Sequence, residues 1–186
     1  TVADLVAAAK SKPRELTYGS LGPASSAHLA TVQFSDLTNI RATHVPYSNF
    51  GQILTDLSGG RLSFWLATLG GALGNIKSGT VRALAVSGAE RAGELPDVPT
   101  FKELGIELVE PSSWYAIVAP KGTPANVLQK LNADANAVLN EPAMKAKLNG
   151  LGYQLKNGAA SEVTEFFKRD VERWKGLINS PAYKDG

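Results

Sequence analysis

The chain has no cysteine, two histidines and one methionine among 186 residues. The missing cysteines exclude disulfides and thiolate metal sites, and they suit an oxidising or a reducing compartment equally. Two isolated histidines, His28 and His44, make a poor metal site, and no His-Glu pair at helical spacing accompanies them. No metal and no cofactor is therefore expected. Charge of one sign is lacking too: 19 basic against 17 acidic residues leave a formal +2, without the broad electropositive surface that nucleic-acid binders use to neutralise phosphates. No apolar run approaches the roughly 18 to 20 residues that span a bilayer. The opening Thr1-Val2-Ala3-Asp4 has no basic segment leading into an apolar one, so an exported form would have had its signal removed.

What is present is a composition 44% hydrophobic, enough for one ordinary domain or two small lobes with a real core. Short apolar strands alternate with amphipathic helices, the pattern of an α/β protein with largely parallel strands. Helices are expected at Val2 to Ser11, Ser26 to Leu37, Gly51 to Leu57 and, more weakly, Ala72 to Lys77. Strands are expected at Leu16 to Gly19, Ala42 to Val45, Leu62 to Leu66 and Val81 to Val86, each bordered by turn residues. Arg91 to Pro99 reads as a fixed irregular loop before a brief helix at Thr100 to Leu104. The organisation changes near Val109 to Ser113. Beyond it come an apolar strand at Trp114 to Ala119 and a helix capped by Thr123, with Pro124 at its first position. That helix carries Val127, Leu128, Leu131, Val138 and Leu139. A shorter helix spans Glu141 to Leu148, and a strand is expected at Tyr153 to Lys156. A last helix, capped by Ser161, would bury Phe167, Val171, Trp174 and Ile178.

The most informative stretch is Leu16 to Leu29, a short strand, a Gly/Ser loop and a helix start. Gly19 and Gly22 let the backbone turn tightly and approach a ligand, and Ser25 or Ser26 can cap the helix. The unpaired N–H groups of the first turn, with the positive end of the helix dipole, then face whatever occupies the loop. An ordinary strand-to-helix connection with a good cap explains the same residues. Similar small or polar loops follow the next two strands, at Tyr47 to Asn49 and at Ala67-Thr68. In an open parallel sheet such loops converge at the carboxyl ends of the strands, where ligands sit.

Enzymatic patterns are tested and fail. A nucleophile elbow around Ser20 needs glycine two residues on either side; Tyr18 takes the first place and only Gly22 fits the second. His28 reads as a hydrogen-bonded packing residue and His44 as a neutral residue of an apolar strand. The segment Gly70 to Gly79 ends in Lys77-Ser78 and invites a phosphate-loop reading, but Ile76 stands where glycine is required. Asp56, Glu94, Asp97, Glu103 and Glu110 are scattered without an obvious catalytic pair.

Several short motifs occur in a telling order: Tyr18-Gly19-Ser20-x-Gly22, Ser25-Ser26-x-His28-Leu29, His44-Val45-Pro46-Tyr47, Asp56-Leu57-x-Gly59-Gly60, Arg82 to Val86, Leu95 to Thr100, Trp114-Tyr115 and Ala119-Pro120-x-Gly122-Thr123-Pro124. Together they resemble the solute-binding receptors of tripartite tricarboxylate transporters, the Bug or TctC-like family. The resemblance implies an α/β fold of the periplasmic binding protein type II kind, one complete lobe plus the C-terminal portion of the other. Residues 1–110 would form the second lobe with its ligand-facing loops, and 111–186 the segment that completes the first. The N-terminal part of that first lobe, which supplies part of the ligand cage in the family, would be absent. Asn49-Phe50 stands where the family usually has glycines, and Ser63 where it often has Asp.

The implied function is non-enzymatic: an extracytoplasmic, periplasmic receptor that captures a small organic carboxylate for the membrane subunits of such a transporter. The expected ligand-binding residues are Ser20, Gly22, Ser25, Ser26, Tyr47, Asn49, Ala67 and Thr68. Two other readings compete with it. One is the effector-binding domain of a transcriptional regulator, against which no helix-turn-helix or basic recognition helix is present. The other is a truncated form that binds nothing and self-associates through the apolar face left by the missing strands.

Overall fold

The computed structural model describes residues 1–108, 114–151, 153, 155–179 and 183. Thr1 starts the first helix, α1 (Val2–Ser11), because its hydroxyl accepts from the Asp4 N–H while the Asp4 carboxylate accepts from the Thr1 amino group and hydroxyl. This reciprocal cap satisfies donors that the helix itself leaves unpaired. Strand β1 (Thr17–Ser20) follows, then α2 (Ser26–Thr38), β2 (Thr43–Pro46), α3 (Phe50–Ser58) and α4 (Leu69–Lys77). β1 and β2 pair in parallel, Thr17 opposite Thr43 and Ser20 opposite Pro46. α2 makes the crossover between them and ends on Asn39 in the left-handed region, φ 52°, where asparagine is tolerated.

The core lies on the α2 side of β1: Val2 and Ala9 of α1, Tyr18, Phe34, Ile40 and Phe64 are all buried together. Phe34 meets Phe64 edge-on at 6.4 Å and Phe101 at 5.8 Å. On the other side of β1, Gly19 has no side chain for a structural reason. A Cβ there would stand 2.8 Å from Leu62 Cδ2, 3.1 Å from Ile53 Cγ2 and 3.4 Å from Tyr47 Cε2. Gly19 thus serves the close approach of α3 to the strand, and the turn that follows is made by Gly22, at φ +103°.

The expected strand at Leu62 to Leu66 is corrected to an extended segment with a single bridge, Phe64 to Tyr18. Ser63 explains why. Its side chain accepts from the Thr17 N–H at 3.1 Å, so a hydroxyl replaces a backbone carbonyl and the ladder does not propagate. Val81 to Val86 is likewise reduced to one bridge, Val86 to Thr100, beside a segment in which Pro96 and Pro99 lack donors. Thr100 to Leu104 is one hydrogen-bonded turn rather than a helix. Thr100 N–H donates to Glu103 Oε2, the Glu103 N–H donates to Thr100 Oγ1, and Gly105 at φ +74° ends it.

The chain divides into two compact units, Thr1–Ser113 with Gly176–Gly186, and Trp114–Lys175. The boundary expected near Val109 to Ser113 lies outside the described residues. The second unit contains α5 (Ala125–Asn140), α6 (Pro142–Gly150) and most of α7 (Ala160–Ile178). Asn132 and Asn136 donate to Gly158 O at 3.1 and 3.0 Å, fixing the segment before α7 against α5. Trp114 Nε1 donates to Asp170 at 2.8 Å and its ring meets Phe166 and Phe167 edge-on.

Here four expectations are corrected. Trp114 to Ala119 is extended but pairs with no strand among the described residues, and Tyr115, Ile117 and Val118 are 77%, 82% and 86% exposed. Thr123 turns its hydroxyl back to Pro120 O, leaving Pro124 at the cap position of α5. Tyr153, Leu155 and Lys156 form no strand, and Gln154 lies outside the described residues. α7 begins one residue before Ser161, with Glu162 capping through the Ala159 N–H. The apolar stripes of α5 and α7 have helical spacing, yet Leu131 and Phe167 are about half exposed. Periodicity locates the face, whereas burial requires something packed on it.

Because Ile53 and Leu62 are themselves buried, they have no room to yield to a methyl group at position 19. We predict that Gly19→Ala destabilises the protein by about 1–3 kcal/mol, the usual penalty of overpacking, measured by urea unfolding. A neutral effect would mean that α3 does not pack as closely as described.

Candidate functional site

Three extended segments lie side by side, β2, β1 and the stretch around Phe64, all parallel. The chain leaves each at the same end and enters a helix: Ser25 caps α2, Asn49 caps α3 and Thr68 precedes α4. Each start presents unpaired N–H groups and the positive end of a helix dipole. The Ser25 side chain accepts from the His28 N–H at 3.4 Å and Asn49 Oδ1 accepts from the Gln52 N–H at 3.0 Å. Thr68 makes no such bond, so the first turn of α4 keeps its donors uncapped by a side chain. None of these loops contains Lys or Arg. Ala67 is exposed, and Gly22, Ser25, Ser26, Tyr47 and Thr68 are half-buried at the rim.

Ser20, expected among the ligand donors, braces the loop from below. It is fully buried, its hydroxyl 2.7 Å from His44 Nε2 and bonded to both the N–H and the carbonyl of Gly22. Its own carbonyl accepts from the Tyr47 N–H at 2.9 Å, tying the first loop to the second. Beside it His28 and His44 lie with ring centroids 4.3 Å apart, and Tyr183 meets His28 edge-on. Burial, followed by repulsion from His44, pushes His28 down to about 4, and burial lowers His44 as well. Burial raises Tyr18 to about 12, so it keeps its proton, and its hydroxyl lies in hydrogen bond with His28 Nδ1 at 3.1 Å. The cluster is a neutral polar brace beneath the loop. Among the described residues no group of three or more His, Cys, Asp or Glu could hold a metal ion.

Tyr47 is tied to α3 through a carboxylate. Its hydroxyl donates to Asp56 Oδ2 at 2.9 Å, and Arg61 donates to Oδ1 of the same carboxylate. The Arg61 bonds, then the Tyr47 bond, hold Asp56 below the usual carboxylate range. Tyr47, Asn49 and Asp56 border an open depression of about 640 Å³ along α3. With an ionised Asp56 in its wall, that depression suits an anion poorly. It includes none of Gly22, Ser25, Ser26, Ala67 or Thr68.

A further pair at this end was not singled out from the sequence. Phe50, first residue of α3, packs on Trp65 with centroids 5.6 Å apart at 37°. The tip of the Trp65 indole lies 4.0 Å from where a Cβ on Gly71 would be, in the first turn of α4. Trp65 Nε1 is buried without an acceptor among the described residues. Strand alternation carried a signal for this: with Phe64 in the core, Trp65 must face the α3 side.

The arrangement matches a known family. The model of the tripartite tricarboxylate transporter family receptor, TctC, matches residues 1–182. The chain belongs to this family. A Pseudomonas protein described as a UPF0065 protein in the tcbD-tcbE intergenic region is 34% identical over 178 residues, 95% of this chain and 53% of its own length. BugT of Bordetella pertussis is 30% identical over 97% of this chain and 55% of its own. The solved structure of R. palustris Rpa4515 with adipate has 31% identity and a TM-score of 0.90, covering 99% of this chain and 61% of that one. The periplasmic binding protein BugD superposes with a TM-score of 0.85 at 25% identity, over 95% and 60%. The fold is therefore the α/β fold of the periplasmic binding proteins. The chain spans about half the length of the curated relatives it matches. No helix among its described residues is long and apolar enough to cross a membrane.

The brace and the 91–103 loop titrate in separate windows. Folded His28 refuses a proton until about pH 4, whereas an ordinary histidine accepts one near 6.5. Stability present above 6.5 is therefore lost as the pH falls through that interval. Glu103, bonded by Arg91 and by the Thr100 N–H, is held at about 2 against an ordinary 4.5, so its contribution, present above 4.5, is lost between 4.5 and 2. We predict that His28→Gln flattens the upper limb of a plot of melting temperature against pH and Glu103→Gln the lower. A melting temperature insensitive to pH across the upper window would contradict the buried, neutral His28.

Proposed function

We propose that the chain is the ligand-capturing part of an extracytoplasmic solute receptor that binds a small organic carboxylate for a tripartite tricarboxylate transporter. The observation that carries this reading is the convergence of three helix starts at one end of three parallel segments. Such starts supply N–H donors and partial positive charge without a fixed cation. The carboxylate would sit at Gly22, Ser25 and Ser26, with Asn49, Ala67 and Thr68 on its other sides, while Ser20 and Tyr47 hold the loops in register. In a two-lobed receptor, residues 1–110 would be the second lobe and 111–186 the segment returning to the first. A ligand that touched both lobes would favour the closed state by its differential affinity, and membrane subunits would recognise that state. The setting would be the periplasm. Adipate, seen with Rpa4515, is a reasonable probe.

The exposed run Tyr115 to Val118 supports a second reading, in which the chain self-associates through that apolar surface.

One thermal-shift series tests both. With a mono-, di- or tricarboxylate at a hundredfold above its dissociation constant, stability should rise by about 2.7 kcal/mol, and Ser26→Ala should weaken affinity by about tenfold, the loss of one hydrogen bond to a charged group. No response to any acid would sink ligand capture by this chain. Repeated over a tenfold range of protein concentration, a rising melting temperature supports self-association and a constant one contradicts it.

A further inference from the structure

The three loops read as an anion site differ in what surrounds them. Ser20 to Ser26 is small and polar. The other two, at the starts of α3 and α4, are bridged by an aromatic pair: Phe50, 39% exposed at the first position of α3, and Trp65, wedged against the first turn of α4. A phenylalanine so exposed at a helix start contributes little to the core. With no Lys or Arg in any of the loops, the helix starts suit one carboxylate rather than a cluster of charges. Whatever carbon skeleton that carboxylate carries then lies alongside the Phe50 ring.

We propose that Phe50 and Trp65 select the body of the ligand, favouring a carboxylic acid whose carboxylate is borne on a flat aromatic ring. The inference rests on the carboxylate reading above. A tilted pair of rings leaves one face for a third ring at the offset or edge-on spacings of about 4.5–7 Å that aromatic groups prefer. A saturated ring of the same size fills the same volume but lacks the flat face and the quadrupole. Trp65, whose buried Nε1–H has no acceptor among the described residues, backs the exposed Phe50 ring. Phe50 and Trp65 are thus specificity residues at the edge of the site, distinct from the donors that hold the carboxylate.

The test is calorimetric titration of the full chain with benzoate, cyclohexanecarboxylate and adipate, repeated on Phe50→Leu and Trp65→Phe. Benzoate is expected to bind about fivefold more tightly than cyclohexanecarboxylate, within the range measured for aromatic pairs. Phe50→Leu should bring the two ring acids within about twofold of each other. Benzoate should also change the indole emission of the wild-type chain, and Trp65→Phe, which retains Trp114 and Trp174, should abolish that change. Equal affinity for the two ring acids, a preference that survives Phe50→Leu, or an emission change that survives Trp65→Phe would overturn the proposal. Binding of all three acids without preference removes the aromatic selection and leaves carboxylate capture standing. Binding of none removes both.

Discussion

The first unit depends on one strand, Thr17 to Ser20, held between neighbours on both edges. β2 pairs along its whole length on one side, and Phe64 bridges to Tyr18 on the other. Parallel pairing makes the three segments end at the same edge, and each end feeds a helix. From that constraint follow the positions of Ser25, Asn49 and Thr68, which no local propensity could have brought together. The strand alternates its work: Tyr18 points into the aromatic core, Gly19 leaves room for α3, and Ser20 is buried beneath the loop.

The polar brace under the loop has a physical logic of its own. Buried hydroxyls and imidazoles are tolerated only when each finds a partner. Here the Tyr18 hydroxyl shares a hydrogen bond with His28 and the Ser20 hydroxyl one with His44. Keeping both imidazoles neutral makes the brace compatible with an anion above it, because it adds no charge for the ligand to sense. The positive potential at the rim then comes from backbone dipoles, which cannot be titrated away. Cost appears on the acid side, where the folded state must exclude protons that the unfolded chain accepts.

The sequence made the helices legible because capping residues and apolar spacing act locally. α1 begins and ends where Thr1, Asp4 and Pro13 indicate, and Asn49 caps α3 as its residue type suggests. Strands were less legible, since pairing depends on a distant partner: nothing near Ser63 announces that its hydroxyl will take the Thr17 N–H and stop a ladder. The expected burial of Phe167 and Val171 failed for a related reason. Their spacing defines a face, but among the described residues nothing packs on it closely enough to bury it. Within the candidate site the capping serine and asparagine were legible, because caps have a chemical signature. The commitment of the Ser20 hydroxyl to His44 was not, being a contact across 24 residues. The Phe50–Trp65 pair was hidden too, since an aromatic side chain in sequence reads as core by default.

The central claim is that the starts of α2, α3 and α4 hold a single carboxylate together. The most direct measurement is a titration of backbone amide resonances with benzoate or adipate. The account predicts that the N–H signals of Ser26 and Ala27, of Phe50 and Gly51, and of Leu69 and Gly70 move together with one dissociation constant. Shifts confined to the depression around Asp56, or separate constants for the three helix starts, would contradict it.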